Sequence, residues 1–139
     1  MVNLAAIKVT PWLIINLVLI GIILYMFGSW LYYRVQRKHL GGELSEEDFE
    51  KTMRKAQIID LREKKDFNAN HILGARNMPY TTFRNTYAEL RPDLPVYLYE
   101  SGTTLAVRAT RMLRKKGFTN VKWLAGGYED WTGKTKTGK

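Results

Sequence analysis

The side chains best suited to chemistry lie in one short stretch of this 139-residue chain, Tyr99-Glu100-Ser101. A phenol acts as a nucleophile when a neighbouring group removes its proton, and Glu100 is the base that the spacing offers. The ordinary pKa of a phenol is about 10, however, and the sequence places no histidine or cation beside Tyr99 to lower it. We therefore expect Tyr99 to be a packed aromatic residue or a loop plug.

Cysteine chemistry is excluded because the chain contains no cysteine. Disulfides, thiolate metal sites and thiol catalysis are all removed together. The two histidines, His39 and His71, are isolated from each other, and such a pair does not make a metal site without further ligands. The sequence therefore predicts no metal and no cofactor.

Asp60 and Arg62 form the next candidate group, directly after a short apolar run. They could bind a ligand as a pair, or they could close the end of a strand as a structural pair. We favour the structural interpretation. If the pair lies at the surface, its contribution to stability is about 1 kcal/mol or less.

A basic face is the third candidate, because Arg108, Arg111 and Lys115 recur at helical spacing. The simpler interpretation is a solvated helix face. The alternative is a docking surface for anionic lipid or RNA. No pattern of stacking aromatic residues supports specific nucleic-acid recognition.

The elements that must position these residues begin with an uncharged stretch from Pro11 to Tyr33. Its 23 residues satisfy the requirement of roughly 20 for crossing a bilayer as a helix. Trp12 and Trp30 are about 27 Å apart along such a helix, which matches aromatic belts at the two interfaces. The run is too long for a signal peptide and lacks a small-residue cleavage pattern. We predict a transmembrane helix over residues 11–33.

The orientation of this helix follows from basic residues. Arg34, Arg37 and Lys38 follow the uncharged stretch, whereas only Lys8 precedes it. The positive-inside rule therefore predicts a short extracytoplasmic N-terminus over residues 1–10 and a cytoplasmic C-terminal domain. The simple layout of anchor and domain is typical of a single-pass protein of the bacterial plasma membrane.

The remaining chain reads as a juxtamembrane linker over 34–43, a folded domain over 44–132 and a disordered basic tail over 133–139. Short apolar runs alternate with helical patterns in the domain, which predicts an α/β fold with a parallel sheet flanked by helices. The tail is polar and lacks apolar residues. The predicted strands are 57–61, 74–78, 95–99 and 121–124, and the predicted helices are 45–55, 63–68, 81–90, 103–116 and 128–131.

Four stretches in chain order resemble motifs of the rhodanese family. Ile58-Ile-Asp-Leu-Arg-Glu63 resembles the family's D-V-R strand end, and His71-Ile-Leu-Gly-Ala-Arg-Asn77 is similar to G-H-I-P-G-A. Gly117-Phe-Thr-Asn-Val121 resembles G-F-x-N-V, and Leu124-Ala-Gly-Gly-Tyr-Glu-Asp-Trp131 resembles L-x-G-G-x-x-x-W. The resemblance covers residues 45 to 132.

The resemblance implies a five-stranded, mostly parallel sheet with an active-site loop between Tyr99 and a helix near Thr103. Loop N–H groups and the helix N-terminus would form an anion cradle, in which a cysteine carries persulfide sulfur. His71 would hold the loop at the strand mouth by a hydrogen bond. Structural roles are implied for Asp60, Arg62, His71, Gly74, Ala75, Gly126, Gly127 and Trp131.

This sequence departs from the family at the decisive position. Alignment on Ser101-Gly102 places Tyr99 at the cysteine and Thr104 where arginine is frequent, while Asn70 and Leu73 replace glycine and proline of the second motif. A phenol cannot carry transferable sulfur, and an added glutamate disfavours an anion in the cradle. We predict a degenerate, non-catalytic loop comprising Tyr99, Glu100, Ser101, Gly102, Thr103 and Thr104.

The favoured function is a membrane-tethered, catalytically inactive rhodanese-like domain that acts as an interaction or scaffold module at the cytoplasmic face. Expected partners are the lipid bilayer and another membrane or membrane-associated protein, including the insertion or translocation machinery and ribosomes docked there. Two alternatives stay open. One is a sulfurtransferase-related enzyme that uses a non-cysteine residue or a partner's cysteine, and the other is charge-driven docking to anionic lipid or RNA.

Overall fold

The computed structural model describes residues 8–138, so residues 1–7 of the predicted N-terminal segment and Lys139 lie outside the described residues. The chain forms two compact units, Met1–His39 and Leu40–Lys139. The helices are α1 (Pro11–Leu40), α2 (Glu46–Thr52), α3 (Lys64–Ala69), α4 (Tyr80–Thr86) and α5 (Thr104–Lys115). Single 3₁₀ turns lie at Met53–Lys55, Tyr87–Glu89 and Tyr128–Asp130. The strands are β1 (Glu43–Leu44), β2 (Gln57–Asp60), β3 (His71–Ile72), β4 (Arg76–Asn77), β5 (Val96–Tyr99), β6 (Val121–Leu124) and β7 (Thr135–Lys136).

Helix α1 makes up almost all of the described part of the first unit. It has 30 residues, none of them buried, and it is long and apolar enough to cross a membrane. The helix continues beyond the predicted span of 11–33 and ends at Leu40, because Gly41 and Gly42 adopt positive φ angles of 64° and 115°. The predicted linker over 34–43 is therefore helical in its first seven residues, and its last residue already belongs to β1.

The second unit contains the predicted parallel sheet, which confirms the α/β fold. Five strands pair in the order β1-β6-β5-β2-β4, and every pair is parallel. Asp60 and Tyr99 are partners in this register, so the ends of β2 and β5 lie side by side. Parallel strands with short crossovers bring the chain's loops to one edge, where functional side chains can meet.

Two apolar cores cover the two faces of the sheet, as alternation along β5 shows. Val96 and Leu98 face a core shared with α4 and α5, whereas Tyr97 and Tyr99 face a core shared with Phe49 of α2. Residues buried on both faces explain why β5 reads as a continuous apolar run. Helix α2 begins as predicted, because Ser45 Oγ accepts a hydrogen bond from the Asp48 N–H at 3.2 Å.

The C-terminal tail differs from the predicted disorder. Residues Thr135–Lys136 form β7, which pairs antiparallel with His71–Ile72 of β3. The Gly138 N–H donates to the Asn68 carbonyl at 3.0 Å. For residues 134–138 the prediction is wrong, because backbone hydrogen bonds to β3 and Asn68 hold them in place, and these bonds need no apolar side chain.

Arg114 connects three backbone segments, although its position in the sequence indicates only a positive charge near the end of α5. Its guanidinium donates to the carbonyl oxygens of Leu40, Gly41 and Val121, the last at 3.1 Å. Arg114 thereby satisfies the carbonyl groups where the chain enters the sheet beside β6.

Candidate functional site

The candidate site lies at the edge where β2 and β5 end, around the loop from Glu100 to Thr103. Two backbone hydrogen bonds hold this loop to the turn that follows β6: Tyr128 N–H donates to the Glu100 carbonyl at 2.7 Å, and Glu129 N–H donates to the Ser101 carbonyl at 3.2 Å. These bonds fix the backbone of the loop, in which Glu100 is buried and Ser101 is exposed.

Gly127 makes this close approach possible. It has φ 69° and ψ −165°, a region that is essentially restricted to glycine. A Cβ atom at this position would lie 2.5 Å from the Ser101 carbonyl oxygen and 2.8 Å from that of Glu100. The glycine is thus required by both its backbone conformation and its neighbours.

Tyr99 is completely buried at the end of β5. Its hydroxyl oxygen accepts the Ile72 N–H at 3.1 Å, and its ring stacks with that of Tyr128 at a centroid distance of 6.2 Å. Burial raises the pKa of the phenol far above its usual value, and the negative charge of Asp60 raises it further. Tyr99 is therefore a packed aromatic residue, and its geometry is unsuited to nucleophilic chemistry.

Glu100 occupies the place where the family resemblance puts a bound anion. Its carboxylate is buried, with 8% of the residue exposed, and Oε1 accepts the Leu105 N–H of the first turn of α5 at 2.8 Å. Free N–H groups at a helix N-terminus bind anions, and here the chain's own carboxylate is the acceptor. The Glu100 carboxylate thus occupies the N–H group of Leu105 that a bound anion would use.

The burial of Glu100 raises the pKa of its carboxyl group. The Leu105 N–H and the charge of Arg108 lower the pKa only in part, and Glu129 raises it further. Because the folded state holds this proton more tightly than the unfolded state, the protonated form stabilises the fold below the ordinary pKa. That stabilisation is lost as the pH rises through the raised pKa.

Glu100→Gln is therefore expected to gain stability relative to the unchanged chain as the pH rises from about 4 to about 7. Glutamine retains an oxygen for the Leu105 N–H but does not titrate. The measurement is urea unfolding of the whole chain in detergent micelles across this pH range, with Glu50→Gln at an exposed position as control. Parallel pH profiles for Glu100→Gln and the unchanged chain would contradict the expectation.

Asp60 and Arg62 form a buried pair, with side-chain exposures of 0% and 9%. Arg62 Nε lies 3.1 Å from Oδ1 of Asp60, and Nη2 lies 2.8 Å from Oδ2. Nη2 also donates to the Asn70 carbonyl at 2.6 Å, and the guanidinium lies 4.0 Å from the Tyr128 ring centroid. All these contacts are within the fold, as expected of a structural pair. The stability contribution expected for a surface pair is too small here, because removing one partner would leave a buried charge.

His71 makes a different hydrogen bond from the one that the resemblance implies. Its Nδ1 lies 2.8 Å from the Phe67 carbonyl, and its ring stacks on that of Phe67 at 3.8 Å. The histidine therefore closes the end of α3 and makes its hydrogen bond there, away from the loop after Tyr99.

The other residues of the family motifs lie in turns or pack against the second core, which is the one that contains Phe49, Tyr97 and Tyr99. Gly74 and Gly126 adopt positive φ angles of 90° and 75° in turns. Ala75 and Trp131 pack against the second core, and the Trp131 ring meets that of Phe49 edge-on at 5.7 Å. These four residues therefore lie in turns or in apolar packing, and the structural roles implied by the resemblance stay a prediction.

Among the remaining candidates, Arg108 acts on the loop because its charge lowers the pKa of Glu100. On α5, Arg108 and Lys115 are exposed and Arg111 is partly buried. Over residues 8–138, no cluster of three histidine, aspartate or glutamate side chains is arranged to hold a metal ion.

A parallel five-stranded sheet, with a loop leading from a central strand into a helix N-terminus, defines the class of rhodanese-type α/β domains. The sequence profile of the rhodanese-like domain matches residues 45–134. The chain belongs to the rhodanese-like domain family.

Relatives and solved structures support this membership. The protein YqhL of Bacillus subtilis strain 168 is 39% identical over 127 residues, which cover 91% of this chain and 98% of YqhL. The thiosulfate sulfurtransferase GlpE of Ectopseudomonas mendocina is 31% identical over 78 residues, covering 55% of this chain and 70% of GlpE. The solution structure of the rhodanese-like domain of Alr3790 from Anabaena superposes with a TM-score of 0.63 at 25% identity, covering 70% and 80% of the two chains.

Proposed function

We propose that this chain is a membrane-tethered, catalytically inactive rhodanese-like domain that serves as an interaction module at the cytoplasmic face. One observation carries the proposal: the nucleophile position holds the buried phenol of Tyr99, in a chain without cysteine. Glu100 adds to this, because its carboxylate already accepts the helix N–H that a substrate anion would need.

The membrane tether in this proposal is helix α1. Its length, its composition and the excess of basic residues after Tyr33 support a single span of the cell membrane with the domain inside. The partner is another membrane or membrane-associated protein, for example the insertion or translocation machinery or a ribosome docked there. A folded domain with an occupied cradle can hold such a partner without turning over a substrate.

The first experiment measures thiocyanate formation from thiosulfate and cyanide by the whole chain in detergent micelles. We expect no turnover above the buffer rate. Tyr99→Cys alone is also expected to stay at background, because the new thiol would be buried and Glu100 would still occupy the α5 N-terminus. Turnover by the unchanged chain would overturn the proposal in favour of an enzyme.

A charge-driven membrane contact is the second candidate, and the exposure of Arg108 and Lys115 on α5 favours it. Binding of this kind weakens steeply with salt, because the contributing charges are exposed. Photocrosslinking in native membranes at low and high salt separates the two functions. The interaction module predicts a protein crosslink that persists at high salt, whereas lipid docking predicts lipid adducts that disappear.

A further inference from the structure

A groove with no assigned role lies on the face of the sheet that packs against α2. Its volume is about 340 Å³, within the usual range of binding clefts. Met53, Ile58, Leu73 and Trp131 supply its apolar lining. No residue of the loop from Glu100 to Thr104 lines it, so the groove is separate from the degenerate site.

Leu73 is the unusual residue at this groove. In the described part of the second unit it is the one large apolar side chain that is exposed, at 45%. Its position is fixed, because its N–H donates to the Lys134 carbonyl at 3.1 Å and Gly74 turns the chain directly after it. This is also where the family motif has proline, so the departure from the motif replaces an apolar ring that lacks an N–H with a branched apolar side chain and a backbone donor.

The charged lining residues of the groove are Arg54, Lys134 and Glu50, which leaves a surplus of one positive charge. All three side chains belong to exposed residues, and none of them forms an ion pair within residues 8–138. A cleft whose lining combines apolar side chains with unpaired cations is complementary to a chain segment that carries an apolar side chain next to a carboxylate.

We propose that this groove binds a segment of the partner protein that presents an apolar side chain beside an aspartate or glutamate. The apolar group lies between Leu73 and Trp131, and the carboxylate pairs with Arg54 or Lys134. A cleft of this size accepts side chains and a short stretch of backbone, so the occupant is a protruding or extended segment. The inference rests on the proposed interaction module and deepens it by placing the contact.

The test is photocrosslinking in native membranes with benzoylphenylalanine replacing Leu73 in the whole chain. We expect a protein crosslink whose sequenced peptide contains an apolar residue within two positions of an aspartate or glutamate. Combining this probe with Arg54→Glu should lower the yield about tenfold, because the charge pair is inverted. Arg84→Glu, at an exposed position of α4, is the matched control and should leave the yield unchanged.

Other outcomes separate failure of the groove from failure of the function. A protein crosslink from a probe replacing Lys115, with none from position 73, overturns the groove but leaves the interaction module standing. Crosslinks from position 73 to lipid alone, or to a second copy of this chain, also overturn the groove. Absence of any protein crosslink from both positions overturns the groove and the interaction module together.

Discussion

Arg62→Met is expected to lower the free energy of unfolding of the second unit by about 3–5 kcal/mol. The change leaves the carboxylate of Asp60 buried without its cation, since Asp60 has no exposed surface. It also removes the donor to the Asn70 carbonyl and the cation above the Tyr128 ring. The measurement is urea unfolding of the whole chain in detergent micelles, followed by tryptophan fluorescence.

Arg91→Met is the matched control for this prediction. Arg91 pairs with Asp93 at 2.6 Å, but both side chains are more than half exposed. Exposed pairs contribute about 0–1 kcal/mol, so the control should remain within that range. Introducing Asp60→Asn together with Arg62→Met should recover part of the loss, because the uncompensated charge is removed. Equal losses for Arg62→Met and Arg91→Met would show that burial of the pair is unimportant.

Gly127→Ala is expected to cost about 3 kcal/mol or more, because it combines a glycine-only backbone conformation with a steric clash. The new Cβ would press against the carbonyl oxygens of Glu100, Ser101 and Gly102. These are backbone atoms of the loop, so no side chain can rotate away to relieve the contact. The loop and the turn after β6 must therefore separate.

Gly117→Ala separates the two contributions to this prediction. Gly117 has φ 96°, but a Cβ there meets nothing within 4 Å. Only the backbone cost of about 1–2 kcal/mol remains in that variant. Hydrogen exchange of the Tyr128 and Glu129 amides, which donate to the loop, should accelerate in Gly127→Ala and not in Gly117→Ala. Similar stabilities and similar exchange in the two variants would refute the steric argument.

Both predictions concern residues that keep the degenerate loop closed. The Arg62 guanidinium lies over the rings of Tyr128 and Tyr99, and Gly127 allows the Tyr128 N–H to donate to the Glu100 carbonyl. The same closed loop holds the Glu100 carboxylate against α5. The structure thus has a buried phenol and a buried carboxylate where the resemblance implies a sulfur-carrying cysteine and a bound anion.

The sequence by itself determined the elements that depend on local pattern. Buried parallel strands read as apolar runs, which located β2, β5 and β6, and Gly117 located the end of α5. The absence of cysteine excludes thiol chemistry from composition alone. These features require only the identity and spacing of neighbouring residues.

Only the tertiary structure decided the short strands, the burial of charged side chains and the groove, because the residues that form each of them lie far apart in the chain. Strands β1, β3 and β7 have two residues each, too few for a periodic signal, and they are ordered by partners elsewhere. The burial of Asp60 and Arg62, the placement of the Glu100 carboxylate on α5 and the groove beside Leu73 likewise depend on packing between remote segments. Local propensity does not report burial, and burial sets the energy of a charge.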